Sequence, residues 1–422
     1  MLLVSGALLA LAYQVAARQR DYRTLVMRGD AALRDDQTFA AIEAYSGALA
    51  LRPDSMLAYL RRGETYRHRA DRGDLEAAAH DFRKAADLDP SATRPLEELG
   101  DVSYQLQRYD RAVDAYGRAA RLDDRSARFA YKLALASYRN GAIDAALAAA
   151  DQAVRLDERL ADAFYLRGIC LRDKHRTQDA LRALEHAVAL SPASIAAREE
   201  LADLYGELDR RTDQLDQLQV LSGLDRLRPE RHVAVGLAHA RMHHWDAAVV
   251  TLSSALERAA PGGGDAALYR ALGQVWMDSA RARDDRVDLR KAREALDRVA
   301  ADPSATSEAL TTAARAALQD GDVDAAEQRL QQATQRFPVA PGALALYAAV
   351  CERQNHFDNA RRALIQHDAL VAADPELPAH AAKIAALSLR LNDGATAKRW
   401  IDRGLAAAPT DPQLLDLAKR LP

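Results

Sequence analysis

The sequence predicts an all-α protein, a right-handed superhelical solenoid of about eleven helical hairpins preceded by a hydrophobic N-terminal helix. Two observations lead to this prediction. The composition is rich in alanine and arginine and only 5% aromatic, which favours close packing of helices over β-sandwich cores. Small and large residues also recur at offsets of 12, 16, 19 and 24 from an opening glycine or alanine. A chain of 422 residues is long enough for such an array.

The first element is an apolar segment at the N-terminus, within residues 1–20. It has 16 uncharged positions from Leu2 to Ala17, and arginines follow it. A membrane-spanning helix needs about 20 apolar residues, so the segment is short. Three interpretations stay open: a single membrane anchor, which we favour, a signal peptide, or a buried or capping helix. As an anchor, residues 1–17 imply a bacterial inner-membrane protein, and the basic flank slightly favours a cytoplasmic body.

The hairpin unit is clearest in residues 96–124, where Gly100 lies inside a helical pattern. A glycine there costs about 1 kcal/mol relative to alanine, so packing must offset the cost. We predict that the two helices of the hairpin approach most closely at Gly100 and Ala112. Tyr116 then fills the adjoining hollow, and Ala119 leaves room for the next hairpin.

The pattern recurs about eleven times from Tyr22 to the end of the chain. The copies open at Gly29, Gly63, Gly100, Ala134, Gly168, Ala202, Gly236, Gly273, Ala314, Ala348 and Ala385. The copy at Ala202 is degenerate, with Gln214 where an alanine is expected. Three extra residues between Gly63 and Ala78 are predicted to lengthen the turn between the helices. The predicted ranges are 1–20 for the N-terminal helix, 21–228 for repeats one to six, 229–410 for repeats seven to eleven, and 411–422 for a capping helix.

A 34-residue period with these offsets resembles the tetratricopeptide repeat, here of a bacterial type. The resemblance implies a non-catalytic protein whose first helices line a concave groove that binds peptides. In the third to fifth copies it points to nine residues: Tyr104, Arg128, Tyr131, Leu135, Tyr138, Arg139, Tyr165, Ile169 and Arg172.

The aromatic, apolar and charged side chains of these groove residues indicate what kind of partner segment could bind. Exposed aromatic clusters rimmed by charge often mark binding sites, but a tight superhelix could instead bury them against its own neighbours. Relatives that grip an acidic C-terminal tail use asparagines, whereas Asp30, Glu64 and Asp101 stand here directly after the opening glycines. We therefore predict a protein partner that offers an apolar or amphipathic segment.

Motifs for catalysis or cofactors are missing from the sequence, so no enzyme, cofactor or small-molecule substrate is predicted. His239 and His243 share one helix face and could hold a metal, although packing or surface roles are the commoner case. A formal net charge of −3 argues against a general nucleic-acid binder. Cys170 and Cys351 lie in different repeats and are predicted to be small core residues.

The predicted function is a non-catalytic scaffold or adaptor that binds protein partners through its groove. The predicted setting is a membrane-tethered part of a bacterial envelope, secretion or polysaccharide assembly. The first alternative is a soluble adaptor subunit whose N-terminal helix packs into a larger membrane complex. The second is a metal-binding protein that uses the His239/His243 cluster.

Overall fold

The computed structural model describes the backbone of residues 2–70, 72–258, 265–371 and 376–421, and their side chains except those of residues 2–11 and 72. Across these ranges the regular structure is helical and includes no β-strand, which confirms the all-α prediction. The chain forms two compact units, Met1–Leu208 and Asp209–Pro422, and each is described by itself.

The first unit contains five helical hairpins followed by one more helix. Its helices are α1(Leu2–Arg34) with α2(Thr38–Leu51), α3(Met56–Arg69) with α4(Arg72–Leu88), α5(Thr93–Gln105) with α6(Tyr109–Leu122), α7(Ala127–Arg139) with α8(Ile143–Leu156), α9(Ala161–Asp173) with α10(Thr177–Leu190), and α11(Ile195–Glu207). The two helices of each hairpin pack together, and the second packs on the first helix of the next hairpin.

The second unit begins with a single helix, continues with five hairpins and ends with a short helix. Its helices are α12(Arg211–Leu224), α13(Pro229–Arg241) with α14(Trp245–Arg258), α15(Asp265–Arg283) with α16(Arg286–Ala300), α17(Ser307–Gln319) with α18(Val323–Thr334), α19(Pro341–Arg353) with α20(Phe357–Leu370), α21(Leu377–Arg390) with α22(Gly394–Ala407), and α23(Pro412–Lys419). The units divide between α11 and α12, within the degenerate copy that carries Gln214. The predicted repeat solenoid is confirmed within both units.

Close packing at the opening glycines is confirmed. A Cβ atom on Gly63 would lie 2.7 Å from the ring of Phe82, and one on Gly168 would lie 2.7 Å from Leu184. Phe82 and Leu184 are fully buried and have no room to withdraw. The glycine therefore lets the two helices of a hairpin approach until the large residue of the second helix fills the space.

The turn after α3 differs from its prediction. Only residues 70 and 71 separate α3 from α4, and the extra residues instead lengthen α4 to 17 residues, against 14 in α2. The added turn places Asp74, which is 7% exposed, where it accepts a hydrogen bond from Nε of Arg69 at 2.5 Å. The prediction of a longer turn is wrong: the extra residues extend the second helix, and the partly buried ion pair holds its first turn.

The N-terminal helix also requires a correction. α1 is one continuous helix of 33 residues that leads directly into the first hairpin. Its 16 uncharged positions span about 24 Å, whereas the hydrocarbon core of a bilayer is about 30 Å thick. Among the helices that the structure describes, none combines the length and apolar character required to cross a membrane. The predicted anchor at residues 1–17 and the inner-membrane location based on it are wrong.

Candidate partner-binding groove

A cavity of about 470 Å³ lies in the first unit between the first helices of its last hairpins. It is lined by Tyr131, Leu135, Tyr138, Arg139, Tyr165, Leu166, Ile169, Arg172, Asp173 and Glu200. These side chains meet because residues spaced three to four apart along α7 and α9 share one helix face. Seven of the nine residues predicted for the groove line this cavity.

The apolar lining of the cavity is half-buried. Tyr131, Leu135, Tyr138, Tyr165 and Ile169 pack with their inner sides on a core cluster formed by α7 to α11. Their outer sides remain accessible. Packing therefore accounts for one side of each residue, and a binding surface on the other side stays a prediction.

The tyrosines of the groove stay neutral over the physiological range. Burial raises the pKa of Tyr131 and of Tyr165. For Tyr138, burial and a hydrogen bond to Asp173 raise the pKa to about 12. Each phenol thus keeps its proton. Tyr138 donates its own to Asp173, whereas the hydroxyls of Tyr131 and Tyr165 can donate a hydrogen bond to a bound segment.

The two remaining predicted residues lie outside the cavity lining. The hydroxyl of Tyr104 accepts a hydrogen bond from Nε of Arg139 at 3.2 Å. Arg128 donates from Nη2 to Oε2 of Glu97 at 2.8 Å. Tyr104 therefore positions the rim arginine, whereas Arg128 is engaged with the neighbouring hairpin.

Ion pairs between hairpins neutralise part of the charge around the groove. Nζ of Lys132 lies 2.7 Å from Oε1 of Glu97 and 2.7 Å from Oδ1 of Asp101. Arg172 reaches Glu200 at 2.5 Å and Glu207 at 2.6 Å. Sequence reasoning missed Lys132, because periodicity fixes the direction of Cβ and leaves the position of a long side chain's ammonium group open.

The acidic residues that follow the opening glycines are held by contacts within the protein. The hydroxyl of Tyr45 donates to Asp30 at 2.7 Å, and that of Tyr116 donates to Asp101 at 2.5 Å. Part of the signal was available in the sequence: Asp30 and Asp101 go with a tyrosine in the second helix, and Ile169 goes with leucine. Glu64 goes with Phe82 and is bound by Arg61 and Arg94 instead. These carboxylates stabilise the hairpin.

Replacing Tyr116 by phenylalanine tests this contact. At pH 7 we expect Tyr116→Phe to lower the free energy of unfolding by about 1–2 kcal/mol, since the acceptor is a carboxylate. Burial and Asp101 raise the pKa of Tyr116 in the folded protein. The unfolded tyrosine ionises near pH 10 and the folded one only above it, so wild-type stability falls as the pH rises past about 10. Phenylalanine lacks this loss, so the difference between the two proteins should shrink above pH 10 in urea titrations. A constant difference would contradict the assignment.

The histidines near His239 contact other aromatic rings, and the two cysteines lie in the core. The rings of His239 and His244 lie 6.1 Å apart, and His243 packs edge-on to Trp245 at 5.3 Å. Burial, followed by the proximity of His244, lowers the pKa of His239. Within the described ranges, no three metal-ligating side chains come together. Both cysteines are free and buried, as predicted, and burial raises the pKa of each thiol to about 12.

Family models for the tetratricopeptide repeat match more than half of the chain. One matches residues 26–93, 131–195 and 311–378, and a second matches residues 100–141. The chain is also 30% identical over 92 residues to the small glutamine-rich tetratricopeptide repeat-containing protein 2 of Mycosarcoma maydis. That alignment covers 22% of this chain and 25% of the relative, so the chain spans about a quarter of the length of the curated protein it matches.

Solved structures with a similar fold include several repeat proteins. YrrB, described as a TPR protein with an unusual peptide-binding site, is 22% identical and covers 44% of this chain and 93% of its own, with a TM-score of 0.38. A tetratricopeptide repeat protein from Parabacteroides merdae is 14% identical, with coverages of 61% and 99% and a TM-score of 0.43. Naa15/Naa10 bound to HypK-THB is 15% identical, with coverages of 93% and 64% and a TM-score of 0.41.

Proposed function

The chain belongs to the tetratricopeptide repeat proteins, and from this premise we propose that it is a non-catalytic scaffold or adaptor. Its fold is consistent with an adaptor in protein–protein interactions. The groove of the first unit is the contact that we assign to a protein partner. The observation that supports this assignment is the cavity of about 470 Å³ with its half-buried apolar lining.

The chemistry of the lining favours an apolar or amphipathic segment as the occupant. Tyr131, Tyr165 and Ile169 offer apolar surface next to phenol hydroxyls, a combination common in the centres of interfaces. Arg139 has no carboxylate partner among the residues that the structure describes, and its guanidinium lies at the rim of the cavity. A segment with one acidic residue beside its apolar face would match both features.

A photo-crosslinking experiment tests the groove. A benzoylphenylalanine placed at Ile169 should crosslink a discrete partner in lysate of the source cells, identified by mass spectrometry. The same group at Ala189, an exposed position on α10, is the control and should not crosslink that partner. Equal capture at both positions would contradict the assignment of the groove.

A truncation of the aromatic side chains gives the complementary result. We expect the variant Tyr131→Ala/Tyr138→Ala/Tyr165→Ala to bind the crosslinked partner at least about tenfold more weakly, because interface aromatics contribute most to binding. Phe39→Ala removes an exposed aromatic ring elsewhere in the first unit and should leave binding unchanged. Circular dichroism must show that the triple variant stays folded. A folded triple variant that binds like wild type would reject the proposal.

A further inference from the structure

The first helices of the second unit repeat the geometry of the groove with different chemistry. We name two positions of each copy the inner positions: the first and the fifth residue after its opening residue. In the first unit, the inner residues Leu135, Arg139, Ile169 and Asp173 line the cavity. In the second unit, residues at inner positions line cavities of about 520 and 570 Å³ that share Arg281. Arg241 and Asp278 line the former, and Arg315 and Gln319 line the latter. Each unit therefore has its own surface at these positions.

The charge at the inner positions is opposite in the two units. In the first unit the acidic inner residues are Asp30, Glu64, Asp101, Asp173, Asp203 and Glu207, and the basic ones are Arg34 and Arg139. In the second unit the only acidic inner residue is Asp278, and the basic ones are Arg241, Arg315, Arg353 and Arg390, named here the arginine row. The two surfaces thus suit partners of different charge.

The arginine row is not neutralised by the protein itself. In the ranges that the structure describes, none of its four members forms an ion pair with a carboxylate, and all four are exposed. The guanidinium of Arg390 lies 5.0 Å from the centre of the Phe357 ring, a contact that leaves its charge uncompensated. By contrast, the acidic inner residue Glu64 of the first unit is bound within the protein, by Arg61 at 3.0 Å and by Arg94 at 2.5 Å.

We propose that the inner positions of the second unit bind an acidic segment of a protein partner, with carboxylates paired to the arginine row. Exposed guanidinium groups bind carboxylates through two parallel hydrogen bonds. Half-buried leucines lie beside the row: Leu237 and Leu318 line the two cavities above, and Leu389 lines a third, of about 590 Å³, together with Arg390. The segment therefore alternates acidic with apolar side chains, and it occupies a surface separate from the groove of the first unit.

An acidic peptide suits this surface better than a nucleic acid. Single-stranded nucleic acids are bound by aromatic side chains on which the bases stack. The uncharged inner residues of the second unit, none of them aromatic, are Leu237, Gln274, Gln319, Ala349 and Ala386. Trp245 lines one cavity but is buried, so its ring offers little surface for stacking.

Fluorescence anisotropy with the full chain tests the proposal. The probe is a fluorescein-labelled peptide of repeated Glu-Leu-Glu-Ala, and its control carries glutamine in place of every glutamate. One variant changes the arginine row: Arg241→Gln, Arg315→Gln, Arg353→Gln and Arg390→Gln. The matched control removes the same charge from exposed residues of second helices: Arg258→Gln, Arg290→Gln, Lys398→Gln and Arg399→Gln.

We expect wild type and the matched control to bind the acidic peptide equally, with affinity that falls as salt is added. The arginine-row variant should bind at least about fourfold more weakly, because it loses four exposed arginine–carboxylate pairs that each contribute between about 1.4-fold and about 5-fold. The glutamine peptide should bind wild type no better than it binds this variant. Thermal melting verifies folding, and Arg315→Gln alone should give an intermediate loss.

Three outcomes would overturn the proposal. The first is an absence of binding to the acidic peptide by wild type at low salt. The second is an equal loss of affinity in the arginine-row variant and the matched control, since the effect would then follow net charge alone. The third is tighter binding of a fluorescein-labelled oligothymidylate than of the acidic peptide, because the surface would then be one for nucleic acid.

Discussion

Gly63→Ala is expected to lower the free energy of unfolding by about 1–3 kcal/mol, although alanine is the better helix former. The added Cβ would lie 2.7 Å from one ring atom of Phe82 and 2.9 Å from another. Phe82 is fully buried, so the ring cannot withdraw without moving α3 away from α4. The overpacking therefore outweighs the gain in helix propensity, which is at most about 1 kcal/mol. Urea denaturation of the full chain measures the change.

Gly117 provides the matched control for this substitution. It lies inside α6, but a Cβ there would meet its nearest neighbouring atoms at 3.7 and 3.9 Å, an ordinary contact distance. Gly117→Ala should therefore raise stability by up to about 1 kcal/mol. In a Phe82→Ala background, Gly63→Ala should also cease to be destabilising, since the ring that it meets is gone. Equal effects of the two alanines in the wild-type background would show that propensity, rather than close packing, governs Gly63.

The hairpins were predictable because the constraint that creates them is local. Each hairpin contains its own packing residues: a glycine, an alanine 12 residues later and a large residue 16 residues later. These residues meet within one hairpin, independently of the rest of the chain. The start of α4 was not predictable in the same way, because the repeat pattern does not describe the ion pair between Arg69 and Asp74 that holds its first turn. The division after Leu208 depends on the packing of whole helices, which a repeat pattern does not describe.

For the groove, the sequence predicted which helix face each residue lies on, but not where a long side chain ends. Periodicity places Tyr131 and Leu135 on one face of α7, and Tyr165 and Ile169 on the corresponding face of α9. All four line the cavity. Arg128 was assigned to the groove from the same periodicity, but its flexible side chain binds Glu97 instead. The anchor prediction for the N-terminal segment fails for a different reason: it rests on the apolar run alone, whereas the helix continues through charged residues into the first hairpin.

Arg62→Met is expected to lower the free energy of unfolding by about 3–5 kcal/mol, the largest effect among these substitutions. Arg62 lies one residue before Gly63 and donates to Asp81 from Nε at 2.7 Å and from Nη2 at 2.9 Å. Its Nη1 also donates to Ser46 on α2 at 3.0 Å, so one side chain connects three helices. Asp81 is only 1% exposed, and without Arg62 its carboxylate loses two charged hydrogen bonds while water cannot replace them.

An exposed pair supplies the control for this prediction. The side chain of Arg128 is 65% exposed and pairs with Glu97, which also keeps Lys132. Arg128→Met should therefore cost less than about 1 kcal/mol. A similar cost for both substitutions in urea denaturation would mean that solvent reaches Asp81 and that its burial is incomplete.

The double variant Arg62→Met/Asp81→Leu separates the strength of the pair from the penalty of breaking it. Replacing a buried ion pair by apolar residues of similar volume is often neutral or stabilising, so the double variant should recover most of the loss. Recovery would show that the pair adds little net stability and that the large effect of Arg62→Met arises from the stranded carboxylate. The pair would then act by specifying how α2, α3 and α4 meet, since any other arrangement leaves Asp81 buried without its partner. A double variant as unstable as the single one would instead show that the ion pair itself stabilises the first unit.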